Sequence, residues 1–102
     1  MRFEPTAFAW INPETSLAPE WDRAQIQRLA RHLGYQLIWP RVESVVPLVD
    51  QIRTAEVDIV ITPAPNHLTA ITLNAIMSVV NVETVCPRLT FARWPLPSGH
   101  IG

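Results

Sequence analysis

The chain has 102 residues, of which 48% are hydrophobic and 17% charged. That is one domain's worth of chain with enough apolar material for a core. A formal net charge of -1 and a pI near 6.3 exclude the basic excess that phosphate neutralisation demands, and a single cysteine, Cys86, excludes an internal disulfide or a paired-cysteine metal knuckle. The charge count also shows eight arginines and no lysine, which fits the codon bias of a GC-rich genome and carries no functional meaning.

Residues 6–11 are apolar almost throughout, as suits a strand buried on both faces. Residues 12–16 follow with turn chemistry. Pro19 is placed for a first helical position, with Glu20 and Asp22 where the helix dipole favours acids. Ile26, Leu29, Ala30 and Leu33 recur at helical spacing, and Gly34 is the expected stop. Arg23, Gln27, Arg28 and Arg31 fall on the other side, as a solvated face or, alternatively, an anion site.

Residues 35–39 read as a second strand closed by Pro40. Ser44 can cap a short helix in which Val45, Leu48, Val49 and Ile52 share a face. Residues 57–61 are the most apolar strand and the expected centre of the sheet. Pro63 and Pro65 force an extended exit. Asn66 is a good cap for a third helix, whose expected buried stripe is Leu68, Ile71, Ala75, Ile76, Val79 and Val80. Residues 82–85 make a fourth strand, and residues 89–94 alternate weakly, as an edge strand does. The expectation is an α/β domain over residues 1–94: a three-layer sandwich with a mostly parallel sheet of four or five strands and helices on both faces. Residues 95–102 are expected to be a proline-rich, frayed tail.

In such sheets ligands gather outside the carboxyl ends of the strands, here residues 12–16, 40–43 and 62–67. Chemistry is thin there. Thr15 and Ser16 have no histidine nearby in sequence and read as turn and cap residues. His67, in a first helical turn after Asn66, is either a base or phosphate ligand or an ordinary surface helix residue. Asn66, His67 and Thr69 together are the candidate anion site. His32 sits at a helix end and His100 in the tail, so the three histidines lack metal spacing. Asp58, at the start of a strand, is either a site carboxylate or a solvated or arginine-paired acid. Cys86 reads as a small packed residue. Glycines at 34, 99 and 102 cannot build a phosphate loop. No catalytic, cofactor-binding or metal-ligating residue is assigned, and no cofactor is expected.

Several phrases resemble the catalytic domain of the small serine recombinases, the resolvase and invertase family. Residues 8–13 resemble its first strand, residues 25–34 its glutamine-containing helix, and residues 57–61 with 66–70 its strand and arginine-bearing motif. The likeness spans residues 6 to about 86. It implies a recombinase-like fold without the chemistry. The nucleophilic serine of the first motif falls among Asn12, Pro13 and Glu14. The aspartate and two arginines of the second become Asn66, His67 and Ala70, which cannot grip a phosphate bidentately. A serine displaced to Ser16 does not restore that grip. The family's dimerisation helix and helix-turn-helix domain have no counterpart after Pro87.

The function expected is a non-enzymatic interaction or regulatory module that binds itself or another protein, with Phe91, Trp94 and Leu96 as the candidate contact. The alternatives are a DNA-associated regulator using Arg23, Arg28 and Arg31, and a flavodoxin-like binder of nucleotides or small anions. No secretory leader is read in the first residues, and no apolar run reaches the roughly 20 residues that span a bilayer, so a cytoplasmic location without membrane partners is expected.

Overall fold

A computed structural model of the chain describes residues 4–41 and 46–95. Its elements are β1 (Thr6–Ala9), α1 (Pro19–Leu33), β2 (Gln36–Ile38), α2 (Leu48–Ala55), β3 (Ile59–Thr62), a 3-10 turn (Pro65–His67), α3 (Ala70–Met77), β4 (Asn81–Thr84) and β5 (Thr90–Phe91). The strands form one sheet in the order β2-β1-β3-β4-β5. The first four are parallel and β5 is antiparallel to β4. The most apolar strand, β3, is central, as expected.

Side chains alternate across the sheet and sort the helices onto its two faces. Ala7, Ala9, Ile59 and Ile61 point to one face and meet Ile26 and Ala30 of α1. Phe8, Val60 and Val82 point to the other and meet Ile52 of α2 and Ile76 of α3. The chain steps one way from β1 to β2, crosses back over β1 to β3, and then continues to β4. Right-handed crossovers running in opposite directions place their helices on opposite faces. The reversal between β1 and β3 is the topological switch point.

Local signals explain most boundaries. Pro19 opens α1, and Gly34 closes it at φ 85°, in the left-handed region glycine enters freely. Leu33, in the last turn of α1, is more exposed than its place in the apolar stripe predicts. The Ser44 cap and Val45 lie outside the described residues; α2 starts after Pro47 and ends at Glu56, also at positive φ.

The third helix departs from expectation. Asn66 does not cap it. The 3-10 turn intervenes, and Thr69 Oγ1 accepts the N–H of Thr72 at 3.1 Å instead. Two closely placed prolines hold the chain extended after Thr62 and delay the helix by one turn. Leu68 is still buried, but outside the helix, and the buried face of α3 is centred on Ile76. Ile71, half a turn round from Ile76, is 84% exposed. Cys86 is a further correction: it is exposed, in the loop after β4, where its N–H bonds to Pro63.

The C-terminal segment folds back along α3. Phe91 packs against the core cluster of α2 and α3. The N–H of Trp94 donates to the carbonyl of Met77, at the C-terminal end of α3, and its indole Nε1 donates to Asn74 Oδ1, both at 2.8 Å. Leu96 lies outside the described residues. No helix among the described residues is long and apolar enough to cross a membrane.

Candidate functional site

The carboxyl ends of β1 and β3 flank the switch point, where a doubly wound sheet ordinarily opens a crevice. Here that place is braced shut. His67 is 5% exposed and its Nδ1 accepts the backbone N–H of Asn12 at 2.9 Å. The indole Nε1 of Trp10 donates to the His67 carbonyl at 3.1 Å, and Thr62 Oγ1 donates to the Trp10 carbonyl at 2.8 Å. Four residues from three segments thus close the gap with three hydrogen bonds. The turn after β1 is held by Asn12, whose Oδ1 accepts the N–H of Glu14 and whose carbonyl accepts those of Thr15 and Ser16.

This geometry settles what His67 can do. An Nδ1 that accepts a hydrogen bond carries no proton, so the neutral ring holds its proton on Nε2. Nε2 faces Asp22 Oδ2 at 4.0 Å, beyond hydrogen-bond reach. Burial lowers the His67 pKa, and the Asp22 carboxylate only partly opposes it. Ser16 Oγ donates to the same Asp22 oxygen at 2.6 Å. Serine, aspartate and histidine are therefore adjacent, but wired in the wrong order for nucleophilic catalysis. The hydroxyl meets the carboxylate rather than an imidazole lone pair, and that lone pair is already taken. Ser16 has no histidine nearby in sequence; the fold brings His67 close to it, on the far side of Asp22.

The candidate anion residues do not act together. Asn66 is exposed, His67 is buried as the brace, and the hydroxyl of Thr69 is engaged with Thr72. Asp58 is exposed, and its Oδ2 accepts the N–H of Thr6 at 2.7 Å, pinning the start of β1 beside β3. His32 occupies the last turn of α1 and His100 lies outside the described residues. Among the described residues no three acidic, histidine or cysteine side chains are grouped to hold a metal ion.

Two surface features remain. The first is the outer face of α3. Its residues are apolar on nearly every side, yet among them only Ile76 is buried. Such a helix is suited to being covered all round. Ile71 stands open on the outer face, one turn before Asn74, where the half-exposed Trp94 is anchored. Sequence alone points to Trp94 for such a patch and puts Ile71 in the core, because a helix capped at Asn66 turns Ile71 inward.

The second is a cleft of about 780 Å³ beside the braced switch point, between the carboxyl ends of β1 and β2. Trp10 and Trp39, the residues just beyond each strand, supply aromatic walls, and the first turns of α1 and α2 close its sides. The guanidinium of Arg23 sits 4.1 Å from the ring centroid of Trp39. Arg23 is thus parted from Arg28 and Arg31, which line a shallow depression further along α1 with His32. Sequence held a signal for this cleft: each of the first two apolar runs carries a tryptophan near a proline, Trp10 ahead of Pro13 and Trp39 ahead of Pro40.

Comparison of the chain with protein-family models, with curated proteins and with solved structures finds no match.

Proposed function

We propose that this domain is a non-enzymatic interaction module that associates with a second copy of itself through the outer face of α3. The supporting observation is the mismatch between the composition of α3 and its burial: Ile71 is 84% exposed on a helix with few polar residues, and Trp94, bonded to Asn74 of that helix, is 51% exposed beside it. Apolar side chains concentrated in this way ordinarily mark an interface. A symmetric pair would lay the same patch on itself, the commonest arrangement of homo-oligomers. The Trp94 side chain enters such a contact already oriented by Asn74, which lowers the ordering cost of binding.

On this reading the chain is a recombinase-like fold from which the phosphate-gripping chemistry has gone. The locked tautomer of His67 supports it, since the one buried imidazole among the described residues is spent on holding loops together. The expectation of DNA contact is left with Arg28 and Arg31, because Arg23 is turned to Trp39. Sedimentation equilibrium tests the proposal. An average mass that rises above the 11.5 kDa monomer with concentration is expected. A monomer mass throughout the micromolar range overturns it.

A further inference from the structure

We infer that the cleft between the carboxyl ends of β1 and β2 is a binding site for a small flat anion, an aromatic ring bearing a carboxylate or a phosphate. The inference is independent of self-association, because the cleft and the outer face of α3 share no residue. Its volume of about 780 Å³ suits a small molecule. Its lining is mainly apolar, with a few charged groups, the usual make-up of such sites.

Shape and charge narrow the class. Trp10 has given its only donor to the His67 carbonyl, so it offers the cleft a ring and no hydrogen bond. Trp39 offers a second ring, with the Arg23 guanidinium placed over it. Aromatic faces and a stacked guanidinium bind planar ligands at little entropic cost. Arg23 and Arg41 both line the cleft, and among the described residues neither is ion-paired with a carboxylate. Among the described residues of the lining, Glu20 is the one acid, against Arg23 and Arg41. A guanidinium without a partner beside an apolar wall binds a carboxylate or phosphate through charge-assisted hydrogen bonds. The brace through His67 keeps the Trp10 wall in place when the cleft is empty.

The test uses the full chain and three probes: indole-3-acetate, adenosine monophosphate and the uncharged indole-3-ethanol. Binding is followed by the indole N–H resonances of Trp10 and Trp39. Either anion is expected to shift both signals at lower concentration than the uncharged probe. Which anion binds more tightly assigns carboxylate or phosphate as the preferred group. The exposed change Arg41→Gln should weaken the anion by about tenfold or more and leave indole-3-ethanol unaffected. The inference is overturned if neither anion moves these two signals, if the uncharged probe binds as tightly, or if Arg41→Gln leaves the anion's affinity unchanged.

Discussion

His67 Nδ1 accepts the backbone N–H of Asn12 across 55 positions of sequence, tying the loop after β3 to the loop after β1. Protonating that nitrogen breaks the bond, so the folded state favours the neutral ring, as burial also does. The folded pKa lies below the unfolded value of about 6.5. The unfolded chain therefore takes up the proton first as pH falls. Stability from this group is fully present above about pH 6.5 and declines as the pH drops toward the folded pKa. Urea midpoints measured from pH 8 downward should begin to fall near there. His67→Gln should remove that part of the decline, leaving the loss due to carboxylates at lower pH. An identical pH profile in the variant would show that His67 is not the titrating brace.

The cap of α3 gives a second contrast. Thr69→Ala removes the acceptor for the Thr72 N–H and should cost about 1 kcal/mol. Asn66→Ala, one 3-10 turn earlier and exposed, should cost well under half of that. Chemical denaturation of the two variants distinguishes them. The reverse ranking would place the helix start at Asn66.

The two faces of α3 give a third. Ile76 is fully buried against the sheet, so Ile76→Ala should cost about 2–5 kcal/mol through lost burial and a cavity. Ile71→Ala should stay within about 0.5 kcal/mol when measured on dilute monomer. Equal costs at the two positions would mean that α3 is rotated relative to the sheet.

Why some of this was legible in the sequence follows from particular residues. Pro19 and Gly34 act within a turn of themselves, so α1 could be bounded without knowing what it packs on. The apolar run Ile59 to Ile61 marks the central strand, because a strand covered on both faces has no polar side to show. The phase of α3 was not legible. Asn66 and Thr69 are both acceptable caps, and only the extended path through Pro63 and Pro65 chooses between them. That choice rotates the expected stripe and turns Ile71 from core to surface. The brace and the cleft were hidden for a different reason. Trp10, Asn12, Trp39, Thr62 and His67 are joined by the order of strands in the sheet, which no local pattern encodes.

Self-association through α3 is tested most directly by amide and indole resonances over a dilution series, comparing the native chain with Ile71→Glu. In the native chain, concentration-dependent shifts should gather at Ile71, Asn74 and the indole of Trp94, and they should vanish in the variant while its melting temperature at low concentration is unchanged. Resonances that stay fixed at every concentration, or that move along β2 or the far side of α1 instead, would contradict it.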